Sequence, residues 1–228
     1  MKIFAIDTAT KTCSIAITNN NMLLSETILQ NSKTHSIHLM DIIYQMLKNL
    51  GITIHDIDAF AVTKGPGSFT GLRIGISSIK GLASATGKPV IGISTLDALS
   101  YQIPLTSYLI CSILDARKGS VYFAKYIFEN GVLKNKTEEQ VLSPDKAICD
   151  ITTPTIFIGD GAQSYKKEIT SKLGKLACFL DPYFNIIRGY SVANLAFERL
   201  KKNDFDDLSL LKPYYIRKSE AELKKQCL

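Results

Sequence analysis

The stretch that decides the fold runs from Ala59 to Ala83 and reads AFAVTKGPGSFTGLRIGISSIKGLA. Its first residues, Ala59–Thr63, are apolar and β-capable, which indicates a short buried strand. A loop follows, in which Pro66 fixes one backbone angle between glycines that allow angles forbidden to other residues. Those glycines are Gly65, Gly67 and Gly71. The pattern predicts a strand, a glycine loop and a helix that has Ser68 or Thr70 as its N-cap.

The helix after this loop combines an apolar face with many small residues. Its apolar residues recur at helical spacing, at Leu72, Ile76, Ile79 and Ala83. Its small residues are Gly71, Gly75, Ser78 and Gly81. Each glycine inside a helix costs on the order of 1 kcal/mol relative to alanine. We therefore expect another backbone to approach this helix closely.

Two interpretations of the glycine loop stay open at this stage. Backbone N–H groups at a helix N-terminus can bind phosphate, or the loop can be a tight turn that delivers the helix to an interface. The P-loop pattern is not met, because Gly65 and Gly71 are six residues apart and Leu72 stands where lysine is needed. The dinucleotide pattern G-x-G-x-x-G is also missed, because Thr70 occupies its last glycine position.

Composition narrows the class of protein. The chain has 228 residues, 46% of them hydrophobic, which suits one large domain or two small lobes. It contains no apolar run long enough to span a bilayer, so we expect no membrane association and a cytoplasmic location. Its five scattered cysteines predict reduced thiols. The net charge of +6 is compatible with a nucleic-acid partner without establishing one.

The N-terminal segment predicts an antiparallel meander whose first strand, Lys2–Asp7, ends in a carboxylate. The second and third strands are predicted at Cys13–Thr18 and Met22–Leu29. Asp7 then lies at the mouth of the first hairpin. It could hold a metal–phosphate group, or accept hydrogen bonds from the amides of the turn Thr8–Thr12.

The first helix is predicted over Ser36–Leu50, where Gly51 ends it. A typical surface helix has an apolar stripe of roughly 100°, and this helix is apolar over about twice that width. One face can pack on the sheet of its own lobe. The remaining apolar surface needs either a partner chain or the second lobe of this chain to cover it.

The histidines near this helix do not predict a metal site. Two zinc ligands on a helix are normally four residues apart and need further ligands. His35 and His38 are three residues apart, and His55 stands in a separate turn. We expect no metal site.

The second half of the chain repeats the first in degraded form after Pro104, which predicts domains at 1–103 and 104–228. A strand over Tyr108–Leu114 is followed by Asp115, as the first strand ends in Asp7. A second glycine turn, Gly159–Ala162, precedes another helix. The segment Pro213–Lys218, with Lys224 and Lys225, is basic and aromatic, so it either contacts RNA or is a solvated tail with tyrosine anchors.

Five motifs together resemble the TsaB (YeaZ) family, over the chain from Met1 to the segment 213–217. They are IDTAT at 6–10, KGPGSFTGLRIG at 64–75, STLDAL at 94–99, DAR at 115–117 and GDGA at 159–162. The motif at 64–75 is highly specific, and the others are individually weak. The resemblance implies an α/β, two-lobed actin/hexokinase-like (ASKHA) ATPase fold, in which each lobe is a mixed sheet with helices.

The resemblance also implies a function. The family is a non-catalytic paralogue of TsaD, which transfers a threonylcarbamoyl group to N6 of the adenosine 3′ of the anticodon of tRNA. It implies a scaffold that forms homodimers alone or heterodimers with TsaD, with the ATPase TsaE docking on the heterodimer and tRNA reached through the complex. It implies no cofactor, since nucleotide binding is expected only in complex with partners.

The family pairs through its first two helices, which here correspond to Ser36–Leu50 and Gly71–Thr86. The expected interface residues on these helices are Ile37, Met40, Tyr44, Leu47, Gly71, Gly75, Ser78 and Leu82. The candidate remnants of a nucleotide cleft that no longer works are Asp7, Gly67, Gly159 and Gly161. The metal ligands of TsaD are two histidines separated by three residues, a spacing that His35 and His38 do not reproduce.

The alternative function is a small ASKHA-type ATPase or protease-like enzyme that acts alone. No G-x-S-x-G elbow is present in the sequence. The three histidines also lack an evident serine or cysteine partner. A third hypothesis is direct RNA binding through the basic C-terminal segment.

Overall fold

The structure is a computed structural model that describes residues 1–30 and 39–217. The chain divides into two compact units. Unit 1 comprises Met1–Ala98 and Ile187–Tyr214, and unit 2 comprises Leu99–Ile186 and the residues from Tyr215 onward.

Unit 1 is built on a five-stranded mixed sheet in the order β3-β2-β1-β4-β5. Its strands are β1 (Lys2–Asp7), β2 (Thr12–Asn19), β3 (Met22–Gln30), β4 (Ala59–Gly65) and β5 (Val90–Ser94). The first three strands form the predicted antiparallel meander, and β4 and β5 add to it in parallel. The buried pattern of β4 confirms the strand predicted before the glycine loop.

The helices of this part of the chain are α1 (Leu39–Leu50), α2 (Phe69–Thr86) and the short α3 (Thr95–Ser100). Ser68 caps α2, because its hydroxyl accepts a hydrogen bond from the N–H of Gly71. The helix ends where Gly87 adopts a left-handed φ of 69°. Helices α1 and α2 pack against the same hydrophobic core, which includes Ile43, Met46, Ile76 and Ile79.

Unit 2 is built on a six-stranded sheet whose main path is β11-β10-β6-β7-β8, with β9 pairing to β7. Its strands are β6 (Leu109–Asp115), β7 (Val121–Glu129), β8 (Val132–Lys136), β9 (Gln140–Leu142), β10 (Thr155–Ile158) and β11 (Ala177–Phe179). Its helices are α4 (Pro144–Ala147), α5 (Asp160–Ser164) and α6 (Lys166–Leu173).

The chain then returns to unit 1 in helix α7 (Gly189–Leu200), which packs on β1 and β2. The predicted domains, 1–103 and 104–228, differ from these units in two ways. The first boundary falls at Ala98 rather than at residue 103, and Ile187–Tyr214 belongs to unit 1. The physical reason is tertiary: the amphipathic pattern of α7 does not specify which sheet buries its apolar face.

Candidate functional site

The glycine loop between β4 and α2 is fastened to the turn between β1 and β2. The N–H of Ser68 donates to the carbonyl of Ala9 at 2.7 Å. In return, the hydroxyl of Thr8 donates to the carbonyl of Gly71 at 2.7 Å. A Cβ added to Gly67 would collide with the carbonyl of Ala9. The loop is therefore rich in glycine because the chain's own turn lies against it.

These contacts bear on the two interpretations of the loop. A phosphate at a helix N-terminus is held by backbone N–H groups that have no protein partner. In this loop the N–H of Ser68 bonds to Ala9, and that of Gly71 bonds to the hydroxyl of Ser68. The tight turn accounts for the glycine spacing without a bound anion.

Asp7 is buried at the end of β1, where it takes part in the same turn. Its Oδ1 accepts a 2.6 Å hydrogen bond from the hydroxyl of Thr63 and a 3.2 Å bond from the N–H of Ala9. The second bond is the one expected if Asp7 accepts from turn amides. Nearby, burial and then the charge of Asp7 raise the pKa of the Cys13 thiol to about 12.

Gly159 and Gly161 lie in unit 2, where the backbone of β6 approaches them. Gly159 has a φ of 110°, and a Cβ there would collide with the carbonyl of Ile113. A Cβ on Gly161 would come within 2.9 Å of the carbonyl carbon of Leu114. Strand packing thus requires both glycines, as the β1–β2 turn requires Gly67.

Two of the expected interface residues prove to be buried within unit 1. A Cβ on Gly71 would collide with the carbonyl of Thr8, and one on Gly75 with the hydroxyl of Thr8. Both glycines lie on the buried face of α2. The expected close approach of another backbone is present at Gly71, and at Gly75 it is a side chain that approaches; both belong to Thr8 of the chain's own β1–β2 turn.

The expected interface residues of α1 have a different environment. Leu39, Ile43 and Met46 face the core, whereas Met40 and Tyr44 remain 48% and 61% exposed. Because these two residues are four apart, they lie on one outer face of the helix. Leu47 is half-buried and packs against the core cluster, and Ile37 lies outside the described residues.

The outward face of α2 carries small residues that have no internal role in packing. Ser77 and Gly81 are exposed, and a Cβ added to Gly81 would meet no atom of the described residues within 4 Å. Ser78 and Leu82 flank them and are half-buried. We call Met40, Tyr44, Ser77, Ser78 and Gly81 the outer face of α1 and α2.

Sequence reasoning counted Gly81 among the small residues but did not assign it to the interface. The angular position of each residue around the helix axis could have distinguished the two sides of α2. Gly81 is six residues beyond Gly75, which places it about 120° around the helix from the Gly71–Gly75 face. Ser77, which was missed altogether, is on the same outward side.

The described ranges contain neither a cluster of metal ligands nor a helix that could cross a membrane. Within residues 1–30 and 39–217, no group of three His, Cys, Asp or Glu side chains could hold a metal ion. His35 and His38 lie outside those ranges. Among the helices of the same ranges, none is both long enough and apolar enough to cross a membrane.

The C-terminal segment is anchored as far as Tyr214. Leu211 is buried in the core of unit 1, and the N–H of Tyr214 donates to the carbonyl of Lys64 at 2.6 Å. Lys80 donates from its Nζ to the carbonyl of Leu211 at 3.0 Å. These contacts hold the segment through the side chain of Leu211 and through backbone groups, whereas the side chain of Tyr214 is 46% exposed. Lys218, Lys224 and Lys225 lie outside the described residues.

Comparison with known proteins identifies the family. Residues 23–225 match the model described as "TsaD: tRNA N6-adenosine threonylcarbamoyltransferase". The chain is similar to the tRNA threonylcarbamoyladenosine biosynthesis protein TsaB of Bacillus subtilis, with 31% identity over 98% of this chain and 97% of that protein.

Solved structures support the fold. YeaZ from Pseudomonas aeruginosa superposes with a TM-score of 0.79 at 24% identity, covering 94% of this chain and 99% of that one. Component A of the (R)-2-hydroxyglutaryl-CoA dehydratase of Acidaminococcus fermentans superposes with a TM-score of 0.52 at 12% identity, covering 88% and 99%. These likenesses confirm the α/β actin-like ASKHA architecture. The family match and the close relative show that this chain belongs to the TsaB (YeaZ) family of tRNA threonylcarbamoyladenosine biosynthesis proteins.

Proposed function

We propose that this chain is a non-catalytic scaffold subunit in the formation of threonylcarbamoyladenosine at the tRNA adenosine 3′ of the anticodon. In this proposal it acts in the cytoplasm by pairing with a TsaD-type catalytic subunit. The single observation that carries the proposal is the outer face of α1 and α2, to which α1 contributes the exposed Met40 and Tyr44 and α2 contributes a helical glycine, Gly81, with no described atom within 4 Å of an added Cβ.

Met40 and Tyr44 are the two large side chains of this face. Burying a large apolar side chain fully contributes about 1.5–3 kcal/mol, and the described part of the chain leaves Met40 and Tyr44 half-exposed or more. Aromatic and methionine side chains are also enriched in interface cores. A protein partner on this face would recover that free energy.

Gly81 is an exposed glycine within α2 on the same outer face. A glycine within a helix costs on the order of 1 kcal/mol relative to alanine. Gly71 and Gly75 compensate for this cost by accommodating the β1–β2 turn, but no described residue of unit 1 lies where it would require glycine at position 81. A helix from a second chain can approach more closely where the facing side chains are small, because interhelical distance depends on the contact residues.

The contacts around the glycine loop support a non-catalytic role. The N–H of Ser68 and the Oδ1 of Asp7 are both engaged with the β1–β2 turn. A stand-alone ATPase would need such groups for a nucleotide or its metal ion. The proposal therefore keeps the nucleotide chemistry on the partner subunits.

The proposal extends to the remaining partners. The isolated chain forms a homodimer through the same face, and a TsaD-type subunit displaces the second copy. A TsaE-type ATPase docks on the resulting heterodimer, and tRNA is reached through the complex. The family relationship supports each of these assignments.

Co-expression with a TsaD-type subunit, followed by mass measurement of the purified complex, tests the proposal. The wild-type chain should give a one-to-one heterodimer, and Gly81→Trp should remain folded but lose it. Ser171→Trp is the matched control, because it adds the same side chain to an exposed position on α6 in unit 2. A wild-type chain that stays separate from the TsaD-type subunit would contradict the proposal.

ATP hydrolysis by the isolated chain provides the complementary test. The proposal expects no turnover above background. Steady hydrolysis that Asp7→Ala abolishes, in a variant that is still folded by circular dichroism, would instead support the enzyme that acts alone.

A further inference from the structure

The turn between β6 and β7 has an unusual backbone. Arg117, Lys118 and Gly119 are three successive residues with positive φ, at 60°, 51° and 68°. Glycine adopts this left-handed region freely, whereas a long side chain such as arginine or lysine is rarely found there. Both basic side chains are exposed.

Two other hairpins of the chain, β2–β3 and β7–β8, provide an internal comparison. The β2–β3 turn has Asn20 at φ 53°, and the β7–β8 turn has Asn130 at 51° followed by Gly131 at 79°. Asparagine and glycine are the residues that such turns favour. Only the β6–β7 turn, among these three, holds basic side chains in this conformation. The backbone conformation of the turn therefore does not explain why arginine and lysine occupy it.

A third cation is brought to the same turn from the far end of the chain. Arg217 donates from its guanidinium to the carbonyl of Ala116 at 3.4 Å. It is also close to Tyr122, whose pKa is raised by burial and lowered in part by the charge of Arg217. Unit 2 therefore presents Arg117, Lys118 and Arg217 around one hairpin turn, which we call the cationic turn.

Two carboxylates at the base of the turn hold its backbone in place. Asp115 accepts from the N–H of Arg117 at 2.8 Å, and Asp160 accepts from the N–H of Asp115 at 3.0 Å. The turn is closed by the N–H of Ser120, which donates to the carbonyl of Arg117 at 3.1 Å. Both carboxylates thus accept from the backbone at the base of the turn, and the five described residues named here, three cations and two carboxylates, carry a net positive charge.

We infer that the cationic turn is a contact site for the phosphate backbone of tRNA. Guanidinium groups bind phosphate oxygens in a bidentate manner, and lysine adds a point charge. Backbone phosphates are also the groups that supply most of the salt-dependent affinity of proteins for nucleic acids. The inference deepens the proposed function and rests on it, because tRNA is the substrate of the assembly to which the family belongs.

The decisive variant is Arg117→Asn with Lys118→Asn, studied in the full chain assembled with a TsaD-type subunit. Asparagine suits positive φ, so this variant should melt at the same or a higher temperature than wild type. Its affinity for an unmodified tRNA transcript should fall about tenfold at low salt. The slope of log K against log salt should become shallower by about 1.5, as expected for two lost phosphate contacts.

Three companion variants separate charge from structure. Lys146→Ala with Lys175→Ala removes the same charge from exposed positions elsewhere in unit 2 and should leave the slope unchanged. Arg117→Lys with Lys118→Arg keeps the charge and should retain most of the wild-type slope. Arg217→Gln should reduce the slope by somewhat less than one contact, because the side chain is half-buried.

The outcomes distinguish this inference from the function on which it rests. An unchanged salt slope in the double asparagine variant overturns the inference, and so does a loss no larger than that of the lysine control. A variant that binds tRNA normally but loses binding to ATP also overturns it, because the turn then holds a mononucleotide. Assembly with the TsaD-type subunit, measured by mass on the same samples, tests the proposed function separately. If the wild-type chain does not assemble, both the proposed function and this inference are contradicted.

Discussion

The two faces of α2 carry glycine for different reasons. On the inward face, Gly71 and Gly75 lie against Thr8, and a Cβ at either position would collide with it. On the outward face, no atom of the described residues lies within 4 Å of where a Cβ of Gly81 would stand. The inward glycines allow the chain to close on itself. The outward glycine leaves room that unit 1 does not use, and this difference locates the surface that we assign to a partner.

The largest expected effect comes from filling the inward face. Gly75→Leu would drive a side chain into Thr8 and Val62, which can move only by disturbing the sheet. We expect a loss of about 3 kcal/mol or more in the free energy of unfolding, at the upper end for overpacked cores. Urea denaturation measures this directly. A variant as stable as wild type would show that the inward glycine is dispensable, which would erase the contrast with Gly81.

Coupling between Gly75 and Thr8 gives a sharper test of the same contact. Gly75→Ala alone would push its Cβ onto the Thr8 hydroxyl, and Thr8→Ala removes that hydroxyl. The double variant should therefore be more stable than the sum of the single changes predicts, by about 1–2 kcal/mol. Thr8→Ala alone also loses the hydrogen bond to Gly71. The double-mutant cycle therefore needs the stabilities of the wild type, both single variants and the double variant. Strict additivity would contradict the contact.

Gly81 should respond in the opposite direction. Gly81→Ala adds a methyl group to an exposed helical position where no described atom lies within 4 Å of the new Cβ, so helix propensity should stabilise the monomeric chain by about 0.5–1 kcal/mol. Thermal melting of the monomer, compared with Gly75→Ala, measures the difference in sign. A destabilised Gly81→Ala would mean that the outward face is occupied within the chain.

At pH 9, where the thiol of the unfolded chain is half ionised, the smallest effect is a pH dependence that reports on the inward face. Cys13 belongs to the same core as Ile76 of α2, and burial followed by the charge of Asp7 raises its pKa from 9.0 to about 12. The thiol is therefore neutral in the folded protein at pH values where it ionises in the unfolded chain. Its contribution to stability is complete below about pH 9 and is lost as the pH rises toward 12.

Peptide mapping after alkylation at pH 9 provides the measurement for Cys13. Exposed Cys149 should react at once, whereas Cys13 should react only on unfolding. Equal rates for the two thiols in the folded protein would show that the inward face opens readily.

The sequence alone supplied the local elements and the family. The buried strand before Gly65, the cap at Ser68 and the meander of β1 to β3 are all present in the structure. These features follow from short-range patterns such as apolar runs, capping residues and turn signals.

The long-range features could not be predicted in the same way. The helical sequence showed that Gly75 is small, but only the position of Thr8, 67 residues earlier in the chain, shows that the glycine faces inward. For the same reason the predicted domain 104–228 includes α7, whereas the helix belongs to unit 1. The third cation of the cationic turn, Arg217, is brought there by contacts between residues a hundred positions apart.

One titration tests the central claim most directly: the affinity of a TsaD-type subunit for the purified chain, measured for wild type, Gly81→Ala and Gly81→Trp. We predict that Gly81→Trp, diluted until both chains are monomeric, melts at the wild-type temperature, while its Kd for the partner rises about 100-fold, with Gly81→Ala intermediate, as for a closely packed interface centre. A Gly81→Trp chain that binds the partner with unchanged affinity would contradict the assignment of the outward face of α2 to the interface.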